Sequence, residues 1–227
     1  MPVYGMLGHA MRSEEAWTGD RTTLVVQKPP PEVFRAAAAN NWSLGVDGLY
    51  TWFLPWPLGM EQRGILSELS DPDHTVEGDK RYVLRRRTET ATALGYTAPL
   101  PLELAAAEAG VPHRVAFSVA DDLSAARRFR VGSVQLRLNI SNIVTQDRLR
   151  IELNGESLEG ERCTRDIGRH DAARDQWLTF ELVEVLPRAG ENVLAVTLLS
   201  RPAGLAGSVT VEQIEVAVRY SQHPSKL

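Results

Sequence analysis

The sequence predicts an α+β protein that begins with two strand–helix units and ends in an antiparallel β-sandwich of jelly-roll type. Two observations support this fold class. Residues 1–78 follow the order strand, helix, strand, helix, which is typical of parallel strands. Residues 79–227 hold at least six segments of β pattern, and turns rather than long helices separate them. We therefore predict two domains with a boundary between residues 78 and 79.

The first 78 residues contain the two predicted strand–helix units. An apolar strand over residues 2–7 precedes a helix over 31–44, in which a proline can occupy the first turn and Gly45 follows the end. Residues 46–53 are rich in β-branched and aromatic side chains, and residues 59–69 suit a second helix. Two parallel strands do not make a stable covered sheet, and a complete (β/α)₈ barrel takes about 250 residues. We expect that missing N-terminal sequence or a partner chain completes this fold.

Alternation of apolar and polar residues is the clearest signal in the second domain. One segment points four apolar residues to one face, namely Val134, Leu136, Leu138 and Ile140, and three polar ones to the other, namely Gln135, Arg137 and Asn139. Residues 148–153 repeat the pattern, and Asn154-Gly155 predicts a type I′ hairpin turn. Residues 193–199 are apolar on both faces apart from Thr197, which predicts a central strand after a turn over 189–192.

The last strand changes parity along its length. Val209 and Val211 keep odd parity, whereas Ile214 and the apolar residues after it keep even parity. A β-bulge near Glu212 and Gln213 would return both sets to one face.

Composition excludes several classes of function. The chain has 227 residues, 43% of them hydrophobic and 24% charged, and a net charge of -4 that offers no broad attraction for nucleic acid. Cys163 is the single cysteine, so no disulfide forms within the chain. The five histidines lack metal-ligand spacing and no phosphate-binding loop is present, so no metal or cofactor is predicted. No segment is long and apolar enough for a membrane span, and residues 1–8 lack signal-peptide features, which leaves localisation open.

Several motifs in roughly the first 85 residues resemble the closing segment of glycoside-hydrolase-like barrel proteins. These are Ala36–Trp42, Gly45–Tyr50 with its Gly-x-Asp-Gly-Leu-Tyr pattern, Leu66–Asp73 and Asp79–Tyr82. In such proteins a helix leads into the last barrel strand and a β-sandwich follows. The resemblance covers roughly residues 1–85 and implies a (β/α) barrel remnant with a sugar-related site.

Two segments of the second domain resemble galactose-binding-type jelly rolls. They are residues 148–155, which end in Asn-Gly, and residues 190–199, which begin with Gly-Glu-Asn. That fold carries carbohydrate-binding modules and purely structural domains alike, so the fold alone does not decide the function.

Candidate site residues lie where the two barrel strands end, because barrel sites form at that face. Aromatic planes stack on sugars and carboxylates act on glycosidic bonds, which predicts a substrate-binding set of His9, Glu14, Trp17, Trp52 and Trp56. Trp52 also suits a purely packing role in the barrel. The first strand ends in Gly8 and His9 rather than in a nucleophilic glutamate, so the catalytic residues stay unassigned.

Two functional hypotheses follow. The first is the C-terminal portion of a glycoside-hydrolase-like, carbohydrate-active protein that is not catalytic alone, with the sandwich supporting the barrel. The alternative is a non-catalytic sandwich that binds carbohydrate or another protein. Trp177 is the one tryptophan of the sandwich, which favours a structural role. We also expect Trp42 to pack its helix against the sheet, and Asp47 to hold its own turn through local backbone bonds.

Overall fold

The described part of the chain is α+β, mostly antiparallel β-sheet with two α-helices. A computed structural model describes residues 1–8, 11–12, 26–27, 30–52, 60–72, 78–85, 95, 98–123, 130–167 and 175–221. The chain divides into two compact units, Met1–Arg81 and Tyr82–Leu227.

The first unit contains the predicted alternation of strands and helices. Its elements in chain order are β1 (Tyr4–Gly8), β2 (Met11–Arg12), β3 (Val26–Gln27), α1 (Pro31–Ser43), β4 (Gly48–Trp52) and α2 (Met60–Leu69). β1 and β4 pair in parallel, from Tyr4 opposite Gly48 to Gly8 opposite Trp52. The predicted parallel pair is therefore confirmed, while β2 and β3, which pair antiparallel, were not predicted.

Helix α1 packs on the parallel pair through small and aromatic residues. Leu7, Phe34, Ala38 and Leu69 form a buried cluster, and Trp42 packs against it. The Trp42 indole Nε1 also donates to the Leu69 carbonyl at 3.3 Å, so the packing role predicted for this tryptophan is confirmed. The helix ends one residue earlier than predicted, and the residue predicted to follow its end has the left-handed φ of 76° that such a position favours.

The described strands of the second unit form two sheets. β5 (Lys80–Arg85) leads the chain from the first unit into the second. The strands that follow are β6 (Leu102–Leu104), β7 (Pro112–Val119), β8 (Val131–Ser141), β9 (Arg148–Leu153), β10 (Glu156–Ser157), β11 (Arg162–Ile167), β12 (Asp175–Leu182), β13 (Gly190–Ser200) and β14 (Val209–Tyr220). One sheet has the order β10-β9-β13-β7, and the other has the order β11-β12-β8-β14-β5, with β6 also paired to β14.

Burial follows the alternation predicted from the sequence. In β8 every second residue from Val134 to Ile140 is buried, and Leu136, Leu138 and Ile140 are fully buried. The same face-by-face pattern recurs in β9 and β7. An apolar face on each of two antiparallel sheets is the burial pattern expected of a β-sandwich.

Two turn and bulge predictions are confirmed. Asn154 and Gly155 have φ values of 54° and 86°, as a type I′ hairpin requires, and they connect β9 to β10. The register of β14 against β8 shifts between Val211 and Gln213, which places a bulge at Glu212. Because of the extra residue, the apolar side chains before and after the bulge face the same core.

Strand β13 is central, as predicted, but it starts earlier than expected. It lies between β9 and β7, and residues 194–198 are buried on both faces. Gly190, with φ 92°, already pairs with Val119. The predicted turn over 189–192 was therefore wrong in its extent, because a glycine at positive φ can begin a strand as well as close a turn.

Candidate functional site

The residues predicted to bind a sugar fall largely outside the described part of the chain. His9, Glu14, Trp17 and Trp56 lie outside the described residues, and of Trp52 only the backbone is described. The parallel register does place the ends of the two strands side by side, at Gly8 and Trp52. The sugar-binding set itself stays a prediction.

Asp47 has a different role from the predicted one. Its carboxylate Oδ2 accepts from the Val3 backbone N–H at 2.6 Å, and its own N–H donates to the Val3 carbonyl at 2.7 Å. The predicted bond to its own turn was wrong, because the partner is 44 residues away. Asp47 therefore clamps the start of β1 to the entry of β4.

One face of the six-stranded sheet is polar, and its side chains come from strands that are far apart in the sequence. We call it the Trp177 face and define it by outward residues of β8, β12 and β14. Trp177 pairs with Asn139, and Thr179 pairs with Arg137. Directly paired residues of an antiparallel sheet project to the same side. The face comprises Gln135, Arg137, Asn139, Trp177, Thr179, Glu181, Gln213 and Glu215.

Arg137 is the organising residue of the Trp177 face. Its guanidinium carbon lies 4.5 Å from the centroid of the Trp177 ring, and its Nη1 lies 2.7 Å from Glu215 Oε2. The Glu215 side chain is 6% exposed and also accepts from Gln213 Nε2 at 2.5 Å. Stacking and pairing together fix the guanidinium plane, so the face presents a preorganised aromatic and cationic centre.

Other groups on the same face keep open hydrogen-bonding capacity. Within the described residues, the side chains of Asn139 and Thr179 make no hydrogen bond, and both are partly exposed. Asn139 lies directly opposite Trp177, and Thr179 lies directly opposite Arg137, on the paired strands β8 and β12. An amide and a hydroxyl beside a flat ring are the groups that a carbohydrate surface uses.

A cleft of about 310 Å³ adjoins this face at the start of β8 and the end of β12. Leu123, Val134 and Leu186 supply apolar walls, and Ser133 and Glu181 supply polar groups. Glu181 belongs to both the cleft and the Trp177 face, where it accepts from Gln135 Nε2 at 2.6 Å.

The two motifs that resemble galactose-binding-type jelly rolls hydrogen-bond to each other. Asn154 Nδ2 donates to Asn192 Oδ1 at 2.9 Å, and the Val193 N–H donates to Asn154 Oδ1 at 3.0 Å. Asn192 is fully buried, and its amide nitrogen donates to the carbonyls of Arg188 and Gly190. We call these bonds the latch, because they tie the β9–β10 hairpin to the start of β13. A side-chain amide buried this deeply normally has hydrogen-bond partners.

Two other buried carboxylates also hold the fold together. Glu161, 9% exposed, accepts hydrogen bonds from the three successive backbone N–H groups of residues 183–185. Asp121, 5% exposed, accepts from the hydroxyls of Tyr82 and Tyr220. Burial first, and next the charge of Asp121, raise the pKa of Tyr82 well above its ordinary value, so this tyrosine stays a neutral donor.

In the part of the chain that the structure describes, no cluster of three or more histidine, cysteine, aspartate or glutamate residues could hold a metal ion. No helix among those residues is long and apolar enough to cross a membrane.

Comparison with known proteins does not assign a family. No protein-family model matches the chain, and no curated protein does. Among solved structures, the chain is similar to the crystal structure of dimeric latent PorU from Porphyromonas gingivalis, with 11% sequence identity and a TM-score of 0.33. That similarity covers 65% of this chain and 13% of the PorU chain. It assigns neither a fold nor a function here.

Proposed function

We propose that this chain is a non-catalytic portion of a carbohydrate-active protein. In this proposal the first unit is the end of a (β/α) barrel, and the second is a jelly-roll sandwich of the galactose-binding type that supports it. The observation that carries the proposal is the latch between Asn154 and Asn192, because it gives both motif segments a structural role.

The carboxylates of the second unit support a non-catalytic role. Glycoside hydrolysis requires two carboxylates that face each other across a cleft. Among the described residues of this unit, the four most buried carboxylates each face donor groups instead. Arg201 faces Asp147, Arg137 faces Glu215, and backbone or tyrosine donors face the others, Glu161 and Asp121. Each of these four carboxylates is therefore held by an ion pair or by hydrogen bonds.

We expect the purified chain to show no turnover of a panel of aryl glycosides above the rate of buffer alone. The physical reason is that glycoside hydrolysis needs two carboxylates held across the scissile bond, whereas the most buried described carboxylates of the second unit are each held by donor groups. Release of the aryl group, followed by absorbance, is the measurement. Glu14 and Glu15 are adjacent acidic residues in the loop predicted to follow the first strand. Turnover that disappears in both Glu14→Gln and Glu15→Gln variants would show that the chain is itself a glycosidase.

A second candidate function is binding of a neutral oligosaccharide at the Trp177 face. The observation that favours it is the partly exposed indole next to Asn139 and Thr179, whose side chains lack hydrogen bonds within the described residues. A sugar ring can stack on the free part of the indole while its hydroxyls bond to the amide and the threonine. Arg137 and Glu215 hold the indole in place.

We expect Trp177→Ala to weaken binding to neutral oligosaccharides of glucose, galactose or xylose by roughly tenfold, since it removes the ring contact. Trp177→Phe keeps a flat ring and should retain part of the affinity. Arg114→Gln, on the other sheet, is the control and should bind like the unaltered chain. Equal binding by all four proteins, measured by calorimetry with their melting temperatures compared, would rule out this face as the site.

A further inference from the structure

Three arginines lie together on the outer face of the four-stranded sheet. Arg114 of β7 pairs with Ala195, and Arg150 of β9 pairs with Thr197 on the other side of β13. Arg148 lies two residues from Arg150 and therefore projects to the same face. We call the set Arg114, Arg148 and Arg150 the arginine face.

Small side chains of β13 form the surface between the arginines of β7 and β9. Ala195 and Thr197, which lie between the two arginine-bearing strands, are 7% and 4% exposed, although they project away from the buried Leu194 and Val196. Small side chains flanked by long ones are covered by the aliphatic stems of their neighbours, while the charged heads reach water. The guanidinium groups therefore surround a shallow depression over Ala195 and Thr197.

Partner groups for these arginines are missing from the described part of the chain. Arg114, Arg148 and Arg150 are all exposed, and no described acceptor is hydrogen-bonded or ion-paired to any of them. Elsewhere in the same unit, Arg137 and Arg201 each pair with a carboxylate. The arginine face therefore brings together three arginines that have no ion-pair partner among the described residues, on a chain of net charge -4.

Two acidic residues, Glu152 and Glu191, share this face. Glu152 pairs with Ala195 from the β9 side, so it stands two residues from Arg150 and across β13 from Arg114. Three positive charges and two negative charges leave a net charge of +1, and Glu191 lies toward the opposite end of β13 from the pairing partner of Arg150. The separations fit an extended ligand, because same-side residues along a strand are about 7 Å apart and alternate strands lie about 10 Å apart.

We infer that the arginine face binds an anionic polysaccharide whose carboxylates are carried by successive sugar units. Guanidinium groups bind carboxylates through paired hydrogen bonds, which suits a ligand with one acidic group per unit. The paired residues of this face include no aromatic side chain on which nucleic-acid bases could stack, and no large apolar anchor of the kind found at protein interfaces. This site does not depend on the Trp177 face, which belongs to the other sheet.

The test is binding of the full chain to polygalacturonate, measured by biolayer interferometry near 0.15 M salt. The triple variant Arg114→Gln, Arg148→Gln, Arg150→Gln should bind roughly tenfold or more weakly than the unaltered chain. The matched control is Arg162→Gln, Arg188→Gln, Arg219→Gln, which removes the same charge from exposed arginines elsewhere in the unit and should keep the affinity.

Three results would overturn the inference: no binding of polygalacturonate by the unaltered chain, an equal loss in the two triple variants, or equally tight binding of a DNA oligonucleotide through the same arginines. Binding should also weaken as salt rises, because exposed charges are screened. Trp177→Ala should leave polygalacturonate binding unchanged. A failure of the arginine-face inference can therefore be told apart from a failure of the proposed neutral-glycan site.

Discussion

Leu138→Asp is expected to lower the free energy of unfolding of the antiparallel unit by about 4 kcal/mol. Leu138 is fully buried in the middle of β8, between Leu178 of β12 and Ile214 of β14. An aspartate there would have no partner in an apolar layer, and the cost of burying an unpaired carboxylate adds to the lost packing. Urea unfolding followed by circular dichroism measures the change.

The control for this substitution must come from an exposed strand position. The alternation alone predicts a mild effect for Arg137→Asp, because that residue faces outward. The structure changes this expectation, since the new carboxylate would face Glu215, whose own side chain is nearly buried. Arg219→Asp, exposed in β14, is the better control and should cost less than about 0.5 kcal/mol. Equal losses for Leu138→Asp and Arg219→Asp would show that the faces of these strands are assigned wrongly.

Local chemistry explains which parts of the fold could be predicted. The two-residue period of β8 determines which side chains point inward, without knowledge of its neighbours. Asn154-Gly155 determines its own turn, because its residues tolerate positive φ. The change of parity in β14 could be resolved by a bulge at Glu212, since one extra residue reverses the face.

The candidate sites could not be predicted because they depend on strand pairing over long separations. Arg137 and Glu215 are 78 residues apart, and their contact exists only once β8 pairs with β14 in this register. The arginine face likewise requires β13 to lie between β7 and β9. Net charge is an average over the whole chain, so a value of -4 excluded a broad basic surface without revealing a local one.

A buried ion pair joins two loops at the same end of the second unit. Arg201 Nη1 lies 2.8 Å from Asp147 Oδ2, and the two side chains are 1% and 0% exposed. The Val144 N–H donates to the same carboxylate oxygen, and Arg201 also donates to the Asn142 carbonyl. Asp147 Oδ1 and Arg201 Nε are buried and have no hydrogen-bond partner among the described residues. The pair is therefore incompletely compensated for its loss of water.

Arg201→Met is expected to lower the free energy of unfolding by roughly 3 to 5 kcal/mol, because it leaves the Asp147 carboxylate buried without its cation. The double variant Arg201→Met, Asp147→Asn removes both charges and should recover more than half of that loss, since the asparagine oxygen can still accept from Val144. Urea unfolding of the two single variants, the double variant and the unaltered chain completes a cycle that gives the coupling energy. Arg219→Met, at an exposed position, is the control for the arginine-to-methionine change. If Arg201→Met costs no more than this control, or if the double variant is no more stable than Arg201→Met alone, the pair does not hold the two loops together.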